Sequence, residues 1–529
     1  MTPAGLGALA LGALLCSACA TRPGGVPPPP QPTAAVVTPP SAAPTLPATA
    51  RPSRGQALSA TLDAVFDASA FTRAQSALVV RSLTTGETLY RRNGPTWLVP
   101  ASTMKVLTTV AAAERLGWAF RFETRLLAMG PIANGTLRGD LLVVGSGDPS
   151  INPRHPDRAA TFDQWARTLK AKGIVHIAGH IVGDDSAVEQ PGWGIGWAWD
   201  DLVEGYGAAY AALQYHEGEV TVTIGPGATP GAPAVLYLSP ANHGLLVDNR
   251  AITGAAGSAP RLALAREPGT RFLEVEGNAP LQAGPVSAIT AVANPTLYFT
   301  DELRATLQRH GIIVDGAAAD IDDLSDRPRA VDGAALFVDQ SPPLSEIADV
   351  TLKWSRNEYA EAMLTALDAT APATAREAVP ALRQTLAEFG VAPESYTTRD
   401  GSGLSRNDYL SADALVATLA GAWERPHLRD TLISTLPEAG RSGSLADRLT
   451  GTAAEGRVHA KTGSMSNVRS LAGFVDTAAG ESLAFAFLVN GFDVRPSEID
   501  ARVDEMLLAL VALPGSDPIQ DRTRLLLRK

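Results

Sequence analysis

Hydrophobic and polar positions change their period several times along this chain, and these changes divide it into regions. Residues 76–92 form two strand-like runs, ALVVRSL and ETLYRR, on either side of a Thr-Thr-Gly turn, which predicts a β-hairpin. Apolar residues then recur at helical spacing through Met104, Leu107 and Val110, and Gly117 is a suitable stop. Folded sequence is therefore expected from about Leu58, with a hairpin followed by a helix.

The middle of the chain, from about residue 121 to 333, differs in composition and in the pattern of its apolar residues. It is rich in glycine and proline and has only short alternating runs, which predicts many short strands, with helices at 161–172 and 301–310. Asn134 and Gly135 lie between two such runs and predict a hairpin turn. His176 and His180 lie in an alternating run, so a strand separates them by about 13 Å and they do not predict a zinc site.

Helical periodicity returns in the last third of the chain and is followed by strand-like runs. The predicted helices span 354–367, 375–390, 411–424 and 498–510, and the predicted strands span 457–464, 469–477 and 482–491. Helices that flank an antiparallel sheet, interrupted by a long β-rich insertion, define an α+β fold.

Length and charge limit the classes of protein that fit. A chain of 529 residues is too long for one compact core, so two or three domains are expected. The formal net charge of -11 argues against a surface that binds phosphates, and we expect no nucleic-acid partner.

The N-terminal residues resemble an export signal followed by a tether. An apolar run over 6–15 has the length of a signal-peptide core, and small residues follow it, so 1–20 is predicted to be a signal peptide. Two processing routes fit: ordinary cleavage after small residues, or lipidation of Cys19 with a membrane tether. Residues 21–56 are rich in proline and alanine and predict an extended linker. We therefore expect an exported protein of the periplasm or cell envelope.

Ser102 and Lys105 form the first candidate catalytic pair. They lie three residues apart at a predicted helix start, so they share one face and the amine can reach the hydroxyl. A lysine acts as a base only if burial or a neighbouring cation lowers its pKa. A Ser-x-x-Lys sequence also arises by chance, so this motif alone indicates little.

Lys461, Thr462, Gly463 and Ser464 lie on the first of the three closing strands. Lys461 supplies a second cation that can hold a substrate carboxylate and lower the pKa of Lys105. Thr462 offers a hydroxyl to the same carboxylate, and Gly463 leaves room for a substrate backbone to approach the strand. An ordinary edge-strand lysine beside a bulge is the alternative.

A Ser-Arg-Asn triplet occurs twice, at 355–357 and at 405–407. A serine that moves a proton and an asparagine that binds a substrate need a rigid mount, which favours Ser355 and Asn357 between predicted helices. For either copy alone, a serine that caps a helix is the alternative. The three motifs together, however, form the set found in penicillin-recognising acyl transferases.

With these motifs the chain resembles the class C low-molecular-mass penicillin-binding proteins, the D-alanyl-D-alanine carboxypeptidase/endopeptidases, from about Leu58 to about Leu510. The separation of 253 positions from Ser102 to Ser355 is typical of members with a large insertion. Further matching segments are 145–149, 183–186, 196–201 and 400–406. The last of these assigns the second Ser-Arg-Asn to a different loop.

The resemblance implies a transpeptidase-like domain in two pieces, 57–122 and 335–529. An inserted domain would comprise 123–211 and 295–334, and a nested β-rich third domain would comprise 212–294. It also implies that the enzyme hydrolyses D-alanyl-D-alanine bonds of peptidoglycan stem peptides through a Ser102 acyl-enzyme, without metal or cofactor, and that β-lactams inhibit it.

The resemblance further implies roles around the reaction centre. The backbone N–H groups of Ser102 and Ser464 would form the oxyanion hole. The pocket for the side chain of the peptide's third residue would be lined by Leu404, Arg406, Met465 and the acidic cluster near Asp200.

Two other functions remain open at this point. A serine β-lactamase shares the three motifs, although the large insertion argues against it. A non-catalytic penicillin-binding sensor or scaffold is the other, although all the motif residues are retained.

Overall fold

The computed structural model describes residues 54–189, 192–368 and 374–515, all within one compact unit. The predicted signal peptide, Cys19 and nearly all of the predicted linker lie outside these residues. The helices are α1 (Arg54–Phe66), α2 (Met104–Leu116), α3 (Thr161–Ala171), α4 (Pro295–Arg309), α5 (Leu344–Lys353), α6 (Asn357–Thr365), α7 (Ala375–Glu388), α8 (Ala412–Trp423), α9 (Pro426–Thr435) and α10 (Pro496–Val511). Every helix in the described part of the chain is too short or too polar to span a bilayer.

The strands fall into two groups. The first group comes from both ends of the described sequence, and the second lies between them in the sequence. The strands at the two ends are β1 (Gln75–Ser82), β2 (Thr88–Arg92), β21 (Val458–Met465), β22 (Val468–Asp476) and β23 (Ser482–Asn490). Those between them are β3 (Glu123–Met129), β4 (Ile132–Ala133), β5 (Thr136–Leu137), β6 (Asp140–Val144), β7 (His176–Ile177), β8 (Ile181–Asp184), β9 (Glu219–Gly225), β10 (Val235–Ser239), β11 (Leu246–Asn249), β12 (Ile252–Gly254), β13 (Arg261–Ala265), β14 (Phe272–Pro280), β15 (Val286–Ala291), β16 (Ile313–Val314), β17 (Ala318–Asp320), β18 (Ala334–Gln340), β19 (Tyr396–Thr397) and β20 (Tyr409–Leu410).

A five-stranded antiparallel sheet joins the two ends of the chain in the order β2-β1-β23-β22-β21. Successive side chains of a strand face opposite sides, so β1 contributes Ala77 and Val79 to one hydrophobic core and Leu78 and Val80 to another. Helices α2 and α8 pack in the first core, and α1 and α10 pack in the second. The predicted α+β fold is confirmed.

The segment 123–334 is built mainly of strands, as its short alternating runs predict. A mixed sheet has the order β17-β8-β6-β3-β18, and smaller sheets form around β7, β9 and β14. Two further hydrophobic cores fill this segment. The predicted boundaries of the inserted and nested domains stay a prediction.

Several local predictions have clear structural outcomes. Asn134 and Gly135 have φ of 52° and 79°, as a tight hairpin turn requires, and His176 and His180 flank a break between two different sheets. The helix predicted at 301–310 begins six residues earlier, because Asn294 accepts a hydrogen bond from Leu297 N and a proline occupies the first helical position.

Candidate active site

The Ser102 turn (Pro100–Thr103) lies against the central sheet and runs directly into α2. The carbonyl oxygen of Pro100 accepts hydrogen bonds from Thr103 Oγ1 at 2.8 Å and from Ser470 Oγ at 2.5 Å. The alanine before Ser102 has a φ of 47°, a strained value for a residue with a side chain. The serine is thus fixed by contacts with β22 and α2.

Two glycines, Gly403 and Gly463, lie very close to this turn. A Cβ on Gly403 would come within 2.0 Å of the Ala101 carbonyl oxygen, and one on Gly463 would meet Ser470 Oγ at 2.1 Å and Pro100 O at 2.7 Å. Ser470 and the Ser102 turn therefore already require glycine at 463, and the approach of a substrate backbone stays a prediction. Only glycine lets β21 lie this near the serine.

Lys105 is completely buried one turn along from Ser102. Its Nζ donates to or accepts from Ser102 Oγ at 2.9 Å and donates to Asn357 Oδ1 at 2.6 Å and to the Ser402 carbonyl oxygen at 2.8 Å. Burial lowers the pKa of Lys105 to about 8, against the opposing charges of Asp400 and other nearby carboxylates. A lysine in this setting can lose its proton near neutral pH.

The partners of Lys105 also orient its lone pair. The Asn357 amide is fixed because its Nδ2 donates to the Tyr206 carbonyl oxygen at 2.7 Å, which turns Oδ1 towards the lysine. Oδ1 and the Ser402 carbonyl oxygen can only accept, so they bind the two N–H groups of a neutral amine. The lone pair then faces Ser102 Oγ, as a general base requires.

Ser355 and Lys461 form a second bonded pair in the site. Ser355 has a φ of 61° in the short break between α5 and α6, and Lys461 Nζ donates to its Oγ at 2.9 Å. Lys461 also donates to the Thr462 carbonyl oxygen at 2.7 Å and is completely buried. Burial, and then the charge of Lys105, hold the pKa of Lys461 well below its usual value. For Lys105 the largest cause of the lowered pKa is burial, and not the second cation that the sequence suggests.

The second Ser-Arg-Asn copy has another role. Ser405 Oγ donates to the Ile195 carbonyl oxygen at 2.7 Å and accepts from the backbone N–H of Asn407 at 3.1 Å. Neither side chain bonds Lys105 or Lys461, whereas those of Asn357 and Ser355 do.

A cavity of about 360 Å³ opens above these groups. Its lining includes the predicted residues Ser102, Ser355, Asn357, Leu404, Arg406, Ser464 and Met465, together with Asp201, Tyr206, Gly403 and Ser466. Asp201 takes the place expected for Asp200, which is exposed one residue earlier in the chain. Lys461 and Thr462 lie beside the cavity, where Thr462 Oγ1 shares a 2.7 Å hydrogen bond with Ser444 Oγ.

Sequence reasoning misses the support behind Lys105. The buried Glu361 carboxylate accepts hydrogen bonds from Gly401 N at 3.0 Å and from Ser402 N at 2.9 Å, which places the Ser402 carbonyl oxygen on the lysine. Burial, with the charge of Asp400, raises the pKa of Glu361 to about 8. Helical spacing could have found it, because it lies four residues after Asn357 on the same face of α6.

Comparison with known proteins identifies the family. A family model described as D-Ala-D-Ala carboxypeptidase 3 (S13) matches residues 58–510. A D-alanyl-D-alanine carboxypeptidase of Actinomadura sp. (strain R39) is 36% identical over 445 residues, 81% of this chain and 80% of the relative. The DacB carboxypeptidase of Haemophilus influenzae is 29% identical over 430 residues, 79% of this chain and 86% of the relative.

Solved structures agree with the sequence comparison. Crystal structures of penicillin binding protein 4 from Haemophilus influenzae, alone and with a β-lactam, superpose with TM-scores of 0.74 and 0.69. Both are 26% identical and cover 85% of this chain and 98% of that one. A family match over most of the chain, on the same fold, leads to one conclusion: this protein belongs to the D-Ala-D-Ala carboxypeptidase 3 (S13) family and is a serine-type D-alanyl-D-alanine carboxypeptidase.

Proposed function

We propose that Ser102 is the nucleophile of this peptidase and that Lys105 is its general base. The observation that carries the proposal is the environment of Lys105 Nζ: 2.9 Å from Ser102 Oγ, with two acceptor-only oxygens on its other sides. A pKa of about 8 leaves roughly one lysine in ten neutral at pH 7.

Acylation follows from this arrangement. Ser102 Oγ attacks the carbonyl carbon of the penultimate D-alanine, and its proton passes to Lys105 Nζ. Negative charge develops on the carbonyl oxygen, which we place against the backbone N–H groups of Ser102 and Ser464. A Cβ added to Gly463 would lie 3.1 Å from Ser102 N. The strand that carries Ser464 therefore passes close to Ser102 N, which supports a pairing of these two N–H groups.

Ser355 completes the proton transfers. The C–N bond breaks, and Ser355 Oγ delivers a proton to the departing D-alanine amine while Lys461 Nζ, 2.9 Å away, holds the hydroxyl in place. The proton taken up by Lys105 replaces the one that Ser355 gives away. Water then hydrolyses the ester, releases the shortened peptide and restores the Ser102 hydroxyl.

The terminal carboxylate of the substrate would bind beside β21, next to the cavity. We assign it to the hydroxyl of Thr462, where the neighbouring Ser444 hydroxyl is a second donor 2.7 Å away. Lys461 lies behind Thr462 and supports it through the 2.7 Å bond to its carbonyl oxygen.

The far side of the cavity suits the side chain of the peptide's third residue. Leu404 and Met465 provide apolar walls, and Asp201 and Arg406 provide opposite charges. A diamino acid that carries both an amine and a carboxylate matches this pair of charges. When the leaving amine belongs to a neighbouring stem peptide, the same acyl-enzyme forms, so we include D-alanyl endopeptidase activity.

These substrates belong to the cell wall, so we place the protein in the cell envelope. Export by the 1–20 signal fits that location, and lipidation of Cys19 would add a membrane tether.

The test is to label the full chain and its Ser102→Ala variant with a fluorescent penicillin and then to chase with buffer. Label that persists on the wild type alone supports the proposal, because the β-lactam then remains as an ester on Ser102. Label that disappears within seconds indicates a β-lactamase, and equal labelling of the variant refutes the nucleophile. If neither protein is labelled, the proposed Ser102 acyl-enzyme with penicillin is refuted.

A further inference from the structure

Arg356, the residue between Ser355 and Asn357, does not line the catalytic cavity and bonds to carboxylates instead. Its Nη2 lies 2.6 Å from Glu219 Oε1 and 3.1 Å from Glu217 Oε2, both in the β-rich segment 123–334. Its Nε lies 3.0 Å from Glu358 Oε1, in the first turn of α6. The guanidinium therefore connects the catalytic turn to the inserted segment.

These contacts belong to a network, the Arg356 cluster (Arg154, Glu217, Glu219, Arg356 and Glu358), in which every side chain except the half-buried Arg154 is largely buried. Arg154 Nε lies 2.6 Å from Glu217 Oε1. The Arg356 side chain is 12% exposed, and those of its three carboxylate partners are 10% exposed or less. Charges buried to this degree are weakly screened by salt, and removal of one partner leaves the others unpaired.

The same turn is attached to the inserted segment at two more points. Asn357 Nδ2 donates to the Tyr206 carbonyl oxygen at 2.7 Å. The hydroxyl of Tyr359 accepts from Asn152 Nδ2 at 2.8 Å. Side chains at 356, 357 and 359 thus all bond to the inserted segment, on which the first turn of α6 rests.

The backbone at Ser355 makes such support necessary. A φ of 61° is unfavourable for a serine and persists only where the surrounding structure holds it. On its other side, Ser355 is held by the hydrogen bond from Lys461. A shift of the turn would separate Ser355 Oγ from Lys461 and Asn357 Oδ1 from Lys105.

We propose that Arg356 is a positioning residue that clamps the Ser355–Asn357 turn onto the inserted segment through Glu217 and Glu219. One task of the inserted segment is then to hold the catalytic serine and asparagine in their reactive places. This inference rests on the proposed roles of Ser355 and Asn357.

The experiment uses full-length Arg356→Gln, Glu219→Gln, the double variant and Arg356→Lys. Glu274→Gln is the matched control, because Glu274 pairs with Arg250 at 3.0 Å in the same inserted segment but at the exposed surface. Release of D-alanine from a D-alanyl-D-alanine peptide gives kcat and KM, with kcat expressed per site titrated to completion by penicillin. Circular dichroism gives each unfolding temperature.

Arg356→Gln is expected to lower kcat about 100-fold with little change in KM, as a displacement of catalytic groups by about 1 Å would do. Glu219→Gln should lower kcat less than Arg356→Gln does. The double variant should have a kcat no lower than that of Arg356→Gln alone, because the two substitutions break the same contact. Arg356→Lys should recover part of kcat, since an ammonium keeps the charge without the planar fork. Glu274→Gln should leave kcat unchanged.

The proposal is overturned if kcat per titrated site stays at the wild-type value in Arg356→Gln and Glu219→Gln, even with a lower unfolding temperature. Additive losses in the double variant would also overturn it. If Arg356→Gln does not fold, Glu219→Gln and Arg356→Lys carry the same comparison. Failure of the catalytic assignment is distinguishable, because Ser102→Ala would then still be labelled by penicillin.

Discussion

The rate of acylation by penicillin is expected to rise with pH through the titration of Lys105. Burial brings its pKa from 10.5 to about 8, a change that corresponds to roughly 3 kcal/mol. At pH 7 the neutral fraction becomes roughly one in ten, where an ordinary lysine would have roughly one in 3,000. The buried environment therefore supplies about 300-fold more of the reactive base.

The acylation rate constant rises with pH because only the neutral amine of Lys105 can act as the base. Below pH 8 the second-order acylation rate constant should fall about tenfold for each pH unit, and above it the rate should level off. Burial, with the charge of Asp400, also raises the pKa of Glu361 to about 8, and Glu361 interacts with Lys105, so the observed midpoint belongs to the pair.

Stopped-flow mixing with a fluorescent penicillin between about pH 6 and pH 10 measures this rate constant. Unfolding curves at each pH serve as the control that the protein stays folded. A rate constant that is independent of pH over this range would refute the reasoning, as would one that still rises about tenfold per pH unit near pH 10.

Two substitutions test neighbouring parts of the site. Lys105→Ala removes the base and should slow acylation by about 100- to 10,000-fold in the same stopped-flow assay, and a smaller effect would assign the base elsewhere. Gly463→Ala places a Cβ 2.1 Å from Ser470 Oγ and 2.7 Å from Pro100 O. It should lower the free energy of unfolding by about 1–3 kcal/mol in urea denaturation and slow acylation by displacing the Ser102 turn, whereas Gly480→Ala, at an open surface turn, should leave acylation unchanged.

Local pattern in the sequence determined most elements near the reaction centre. Strand-like apolar runs predict the hairpin of β1 and β2 and the three closing strands, and helical spacing predicts α2 with Lys105 one turn beyond Ser102. These features depend on residues close together in the chain, and periodicity reports them directly. The type of chemistry also follows from the sequence, because three short motifs carry it.

The tertiary structure decided how distant residues meet. Helices α5 and α9 are absent from the sequence prediction, and the Ser402 carbonyl oxygen reaches Lys105 from nearly 300 positions away because Glu361 holds its loop. The need for glycine at 463 comes from Ser470 on the neighbouring strand and from the Ser102 turn. Such contacts depend on how sheets and helices pack.

The two Ser-Arg-Asn copies show the same division between sequence and structure. Their residues are identical, and sequence context together with the family resemblance already favours the copy at 355–357. The fold supplies the reason, because it places Lys105 and Lys461 beside that copy. The orientation of Arg356 has a similar origin, since two of its three carboxylate partners, Glu217 and Glu219, come from a distant segment of the chain. The sequence by itself determined which reactive groups this protein has, and packing between distant segments determined where each of them acts, because burial and close approach arise only in the folded chain.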